Sequence, residues 1–251
     1  MPARSRLAHA GAMLPRYLNA RFPGSCHLCA MPVSGQLDLC ADCRAELPWL
    51  VAACTHCAAP LLLPPGTRGA CGRCQVKPPP MTSTTAVFRY RYPMDRLVQR
   101  FKFERGMAEG RLLASLFAET MAARSIDRPE ALLPVPLHPA RERERGFNQS
   151  EFLAGALSKA LEIPIENKSL QRVRYTDVQS GLDRKARRRN LRNAFVARGD
   201  FPGHVAIIDD VTTTGATLEE VARVLLKAGA QRVDAWVLAR TPGRIDQPWA
   251  G

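Results

Sequence analysis

Asp209 and Asp210 stand side by side, and after Val211 comes a run rich in hydroxyls: Thr212, Thr213, Thr214, Gly215, Ala216 and Thr217. Hydroxyls, backbone N–H groups and the start of a helix suit one phosphate. The carboxylates cannot hold that phosphate, because like charges repel. Beside it they suit sugar hydroxyls or a metal. A ligand with a phosphate next to a diol is a ribose 5-phosphate. The plain alternative is an ordinary strand-to-helix junction with an acidic strand end. Neither G-x-x-x-x-G-K-[ST] nor G-x-G-x-x-G occurs in the sequence, so nothing supports those two phosphate-loop readings.

A second chemistry is written in the cysteines. All eight lie in four C-x-x-C pairs: Cys26/Cys29, Cys40/Cys43, Cys54/Cys57 and Cys71/Cys74. Each pair presents two thiolates from a tight knuckle, and two pairs complete a tetrahedral zinc site. Eight ligands make two zinc ions. Four thiolates leave no open coordination position, so these metals are expected to be structural. Sequential pairing (26/29 with 40/43, 54/57 with 71/74) is favoured over interleaved pairing, because the intervening residues suffice for a ribbon hairpin. His27 and His56 sit inside knuckles and are not needed as ligands. Disulfides would require an oxidising compartment, and a redox C-x-x-C would stand alone near a βαβ unit. The expected setting is cytoplasmic.

Arginines form the third group. Arg141, Arg143 and Arg145 alternate with Glu142 and Glu144 in a loop after an apolar stretch at 132–137. Three guanidinium groups so spaced could gather a diphosphate through bidentate contacts. The competing interpretation is a solvated charged loop. A second segment, 172–195, has six basic residues among the nine from 184 to 192. On charge alone it reads equally as a solvated face or a nucleic-acid patch.

These residues need elements to position them. Val205 to Ile208 are apolar and mostly β-branched, as a buried strand requires. The acid pair follows at its C-terminal end, where open α/β sheets bind ligands. Thr217 and Glu220 read as a capping box. Leu218, Val221, Ala222, Val224, Leu225 and Ala228 share one helical face, and Gly229 stops the helix. Val233 to Leu238 reads as the next strand, parallel to the first. Upstream, Ala86–Tyr92 reads as a strand and 97–117 as amphipathic helix interrupted at Gly106 and Gly110. Leu132–Leu137 reads as a strand and Ser150–Leu161 as a helix. Pro78, Pro79 and Pro80 make a stiff linker.

The expected division is an N-terminal extension (1–25), a double zinc-ribbon domain (26–77), an α/β domain (81–241) and a loose tail (242–251). The 251 residues carry 36 Lys plus Arg against 23 acids, a net charge of +13. Such a charge implies anionic partners, either nucleic acid or phosphorylated small molecules. No apolar run of eighteen residues occurs, so no membrane span is expected. The first 37 residues contain no acid. That start resembles an organellar transit peptide, but a short exposed helix is the favoured reading.

Taken in order, the four knuckles, Arg-Tyr-x-Tyr-Pro at 89–93, Phe-Lys-Phe-Glu-Arg-Gly at 101–106, the segment 138–149, and Thr176, Gln179, Leu182, Arg187, Asn190 and Phe195 precede the signature at 205–217. That signature resembles the phosphoribosyl-diphosphate (PRPP) motif of type I phosphoribosyltransferases, and the whole pattern resembles the ComF family. The resemblance implies a mostly parallel α/β sheet flanked by helices, preceded by a double zinc ribbon. It implies PRPP binding by 209–217, with the acid pair on the ribose hydroxyls and 212–217 on the 5-phosphate. It also implies magnesium with PRPP and pyrophosphate contacts from Arg141, Arg143 and Arg145. A mobile loop carrying Thr176, Gln179, Arg187 and Asn190 would close over the site. The expected activity is phosphoribosyl transfer with release of pyrophosphate, in DNA uptake or nucleotide salvage. Expected partners are PRPP, single-stranded DNA and a helicase or other DNA-uptake protein. The alternative is a PRPP-sensing, DNA-binding accessory protein without turnover. Lys102 falls in a family motif with no role legible from sequence.

Overall fold

The computed structural model describes residues 24–34, 37–64, 67–103, 106–175, 189–201 and 203–242. The expected extension up to 23, most of the mobile loop (Thr176, Gln179 and Arg187 included) and the tail beyond 242 lie outside the described residues. The chain forms two compact units, one ending at Leu47 and one beginning at Pro48. The two cysteine tetrads therefore fall in different units.

In the first unit, β1 (Gly24–Ser25) pairs antiparallel with β2 (Pro32–Val33), and α1 (Ala41–Ala45) follows. The N-cap of α1 is Cys40, whose sulfur accepts from the Cys43 backbone N–H. A knuckle cysteine thus takes the capping role that Ser or Asp usually fills.

The second unit opens with β3 (Ala53–Cys54) parallel to β4 (Arg68–Gly69), then α2 (Gly72–Val76). Then come β5 (Ser83–Arg89), α3 (Met94–Phe103), α4 (Met107–Ala122), β6 (Ala131–Pro134), α5 (Pro139–Arg145) and α6 (Gln149–Leu161). A two-stranded antiparallel ribbon joins β7 (Leu170–Arg172) to β8 (Phe195–Ala197). Last are β9 (His204–Thr212), α7 (Ala216–Lys227) and β10 (Arg232–Arg240).

The central sheet has the order β5-β10-β9-β6, and every pair is parallel. Leu132 adds a parallel bridge to Ile165 at one edge, and Trp49 bridges Phe88 antiparallel at the other. The middle strands are buried on both faces, which is why they read as continuous apolar runs. Leu218, Val221, Ala222 and Leu225 of α7 join Val205, Ile207 and Val237 in one core cluster. α6 packs against β9 and β6, where Leu153 and Leu157 are fully buried.

Local details differ from the sequence expectations for identifiable reasons. The residues 139–145 form α5, not a loop. Pro139 sits at the first helical position, His138 Nδ1 caps the Ala140 N–H, and Gly146 closes the helix at φ +84°. Gly110 interrupts nothing. It lies inside α4 because a Cβ there would come within 2.5 Å of the Phe101 ring. The capping box at Thr217 and Glu220 is not formed. α7 starts two residues earlier, with Gly215 as its left-handed N-cap at φ +80°, and Glu220 instead accepts from the Asn193 N–H at 2.9 Å.

Candidate functional site

β9 runs four residues further than its apolar core and carries Asp209, Asp210, Val211 and Thr212 to the C-terminal edge of the sheet. Thr212 ends the strand and is buried, Thr213 is exposed, and Thr214 and Thr217 are half-buried. The Thr214 hydroxyl accepts from the Ala216 N–H at 3.3 Å. The left-handed Gly215 then turns the chain into α7, where the first N–H groups have no intrahelical partner. A phosphate there meets backbone donors, hydroxyls and the positive end of the helix. The segment 212–217 thus runs on directly from the acid pair and has the groups with which a phosphate could be cradled.

The two acids have different partners. Asp210 is buried, and its Oδ2 lies 2.6 Å from Lys102 Nζ, delivered by α3. Its Oδ1 accepts from the Val211 N–H at 2.6 Å. Asp209 is half-buried; its Oδ1 accepts from the Ser150 hydroxyl at 3.1 Å and the Asp210 N–H at 2.9 Å. Burial, and then the adjacent Asp210 charge, push the Asp209 carboxyl up to about 7, against the pull of Lys102 and these donors. Of two neighbouring carboxylates, one has a cation and the other carries the cost of crowding.

β6 is parallel to β9, so α5 leaves the sheet at the same edge as the acid pair. Arg145 donates to Gln149 Oε1 at 3.0 Å and lies over the Phe103 ring at 5.1 Å. Burial and the neighbouring Arg141 lower its pKa, while Asp210 opposes them. Arg172 on β7 behaves alike: burial and then Arg141 lower its pKa, Asp209 raises it, and Arg145 adds to the repulsion. Arg145 and Arg172 thus each feel one of the two acids, and Arg141 feels both of these arginines. Arg143 is exposed, and among the described residues no contact brings it to the acids. Glu142 and Glu144 are also exposed. Asn190, the described member of the expected mobile loop, accepts through its carbonyl from Arg174.

Sequence reasoning gave no role to Lys102, Ser150, Arg172 or Arg240. Lys102 had a signal: it falls four residues after Val98, beside the buried stripe Met94, Leu97, Val98, Phe101. A lysine next to a core face requires a partner. Nothing local reveals that the partner is Asp210.

The cysteines assemble sequentially, as favoured. Cys26, Cys29, Cys40 and Cys43 form one tetrad, and Cys54, Cys57, Cys71 and Cys74 the other, each with all sulfurs within 4.8 Å. Cys29 and Cys40 sulfurs are 3.7 Å apart, and Cys57 and Cys71 sulfurs 3.8 Å apart. A zinc–sulfur bond of about 2.3 Å implies a tetrahedral edge of about 3.8 Å, whereas a disulfide needs about 2.05 Å. The donor set and spacing therefore fit two zinc ions. Backbone N–H groups point at the sulfurs, Cys43 to Cys40 at 3.4 Å and Cys71 to Cys54 at 3.3 Å. Burial pushes the Cys26 and Cys54 thiols up, but such donors outweigh it and bring them to about 6 and about 7. Cys57 is pushed up to about 11, by burial first, and Cys43 and Cys74 are raised as well, so without a bound cation only part of each tetrad favours the thiolate. No helix among the described residues is long and apolar enough to cross a membrane.

Comparison with known proteins agrees with both halves of this architecture. Residues 17–75 match the double zinc ribbon domain, and residues 148–249 match the phosphoribosyl transferase domain. The DNA utilization protein YhgH of Salmonella typhimurium is 38% identical over 225 residues, covering 87% of this chain and 98% of that protein. Competence protein F of Haemophilus influenzae is 37% identical over 213 residues, covering 80% and 90%. Competence protein ComFC of Bacillus subtilis is 29% identical over 214 residues, covering 81% and 84%. With two cysteine tetrads, a parallel sheet and relatives matched along nearly their whole length, the chain belongs to the ComF family.

Proposed function

We propose that this protein binds PRPP with magnesium and transfers its phosphoribosyl group to a nucleophile, releasing pyrophosphate. The observation that carries the proposal is the junction of β9 and α7. Acid pair and phosphate cradle are contiguous there, with Arg145 in electrostatic reach of Asp210, Arg172 in reach of Asp209, and Arg141 beside both arginines.

In the proposed reaction the bond from the anomeric carbon to the diphosphate oxygen breaks, and its electron pair leaves with pyrophosphate. A bond from the nucleophile, normally a nitrogen, forms on the opposite face, and the nucleophile gives up a proton to solvent. The acid pair holds the ribose hydroxyls and 212–217 hold the 5-phosphate. The guanidinium groups neutralise the leaving diphosphate, a preorganised electrostatic role. Magnesium is commonly held by one or two carboxylates plus substrate phosphates, and the acid pair fits that donor set; when bound, the ion would add charge neutralisation on the diphosphate. Lys102 supplies a fixed positive charge beside Asp210 and holds that carboxylate in place for a diol.

The test is to incubate zinc-loaded protein with magnesium, PRPP and candidate acceptors, including single-stranded DNA, and to measure pyrophosphate. Acceptor-dependent release that disappears in Asp210→Asn supports the proposal. PRPP binding without release favours a second reading, a PRPP-sensing accessory protein in DNA handling. The names of the relatives, DNA utilization protein and competence protein, and the +13 charge support that second reading. Failure to bind PRPP removes both.

A further inference from the structure

We infer that Arg240 is a positioning residue that shapes the phosphate cradle and ties it to the second cysteine tetrad, so that metal at that tetrad sets affinity at the cradle. The inference rests on the reading that the cradle takes the 5-phosphate of PRPP.

Arg240 ends β10, where it is the register partner of Thr212 on β9. It is 5% exposed, and a buried guanidinium must find acceptors. It finds them in two places. Nε donates to the Cys57 carbonyl at 3.2 Å. Nη1 lies 3.2 Å from the Thr212 carbonyl, against the Thr213 carbonyl, and 3.2 Å from both the Thr241 carbonyl and hydroxyl. One rigid planar group therefore spans the zinc knuckle and the cradle.

The carbonyl contacts determine where the cradle's donors point. In a trans peptide, C=O and the following N–H point in opposite directions. Drawing the Thr212 and Thr213 carbonyls towards Arg240 turns the N–H groups of Thr213 and Thr214 the other way, out towards the ligand. Without Arg240 the Thr213 carbonyl loses this donor, and the Thr212 carbonyl keeps the Thr241 N–H at 3.0 Å but loses the guanidinium beside it.

At its other end Arg240 depends on the knuckle. Cys57 is a tetrad ligand, and the knuckle is embedded in the body: Ala58 is fully buried in the main core cluster. The Thr84 hydroxyl also donates to the His56 carbonyl at 2.8 Å. Four thiolates fixed on one metal hold the Cys54–Cys57 turn, and with it the carbonyl that anchors Arg240. Loss of a ligand lets that turn relax and passes slack to the cradle.

The experiment compares the full-length zinc-loaded protein with Arg240→Lys, Cys71→Ser and the double variant, with Lys159→Gln on exposed α6 as control. Calorimetric titration with magnesium and PRPP is expected to show affinity weakened about tenfold or more in each single variant, the scale of a lost charge-assisted contact. The double variant is expected to be no weaker than the worse single one, because both act through one path. Lys159→Gln is expected to match wild type. Full PRPP affinity in a Cys71→Ser protein that has lost one zinc overturns the inference, and so do strictly additive losses. Should wild type itself bind no PRPP, the reading of the cradle fails, and amide exchange decides the coupling separately. The Thr241 amide, which donates to the Thr212 carbonyl at 3.0 Å, is then expected to exchange faster in Arg240→Lys and Cys71→Ser than in wild type; unchanged exchange sinks the coupling.

Discussion

Lys102 Nζ lies 2.6 Å from Asp210 Oδ2, although 108 positions separate them in the chain. Their side chains are 19% and 10% exposed, so neither charge is well solvated. Removing one partner strands the other, whereas removing both leaves little to compensate. Lys102→Met and Asp210→Asn are each expected to lower the urea midpoint, by about 1–3 kcal/mol of stability. The double variant is expected to recover part of the loss, with a coupling energy of at least about 0.5 kcal/mol. Losses that simply add would show that the pair is not coupled.

Asp209 gives the fold a pH dependence of definite sign. Its carboxyl is raised to about 7 by burial and by Asp210, against an unfolded value of about 3.9. Between those values the folded state binds more protons than the unfolded chain, so this group lowers stability as pH rises from about 4 to about 7. Asn at 209 keeps an oxygen for Ser150 and the Asp210 N–H but has no charge to desolvate. Relative to wild type, Asp209→Asn is therefore expected to gain stability between pH 5 and pH 7.5. Urea midpoints of the two proteins at both values provide the check, and parallel midpoints would refute it.

The tetrads should respond separately to mutation. Cys29 belongs to the unit ending at Leu47 and Cys74 to the unit that contains the sheet. Loss of the second zinc is expected to lower the main thermal transition, because its knuckle bonds β5 and β10. Cys74→Ser should therefore bind one zinc and melt earlier. Cys29→Ser should bind one zinc and leave the main transition in place. Zinc content by a chromogenic chelator together with calorimetry measures both, and equal effects would contradict this assignment.

Gly215 occupies φ +80° at the start of α7. A side chain there costs about 1–2 kcal/mol in the left-handed region. The backbone can escape only by moving the N–H groups of the cradle. Gly215→Val is expected to weaken PRPP binding by more than tenfold while the sheet still folds, as read by calorimetry and circular dichroism. Retained affinity would mean that the turn is not the phosphate contact.

Where chemistry depends on neighbours in the chain, it was legible in the sequence. Acid pair, hydroxyl run and glycine turn lie within nine consecutive residues, so their contiguity survives any tertiary arrangement. The C-x-x-C knuckles are equally local, and short intervening stretches favoured the sequential tetrads that formed. Buried parallel strands were readable because both faces of β9 and β10 exclude water and demand apolar residues throughout.

Three things needed the folded chain. Lys102 reaches Asp210 from α3, Arg172 on β7 comes into electrostatic range of Asp209, and Arg240 links a carbonyl at Cys57 to carbonyls at Thr212 and Thr213. Lys102 leaves a signal in its spacing but none that names its partner, because a charge placed in the interior is satisfied by whichever group the topology delivers. Sequence determined the identity of the chemical groups and their local geometry. Only tertiary structure decided which buried charges meet, since Coulomb and hydrogen-bond partners are chosen by distance in space and not by distance along the chain.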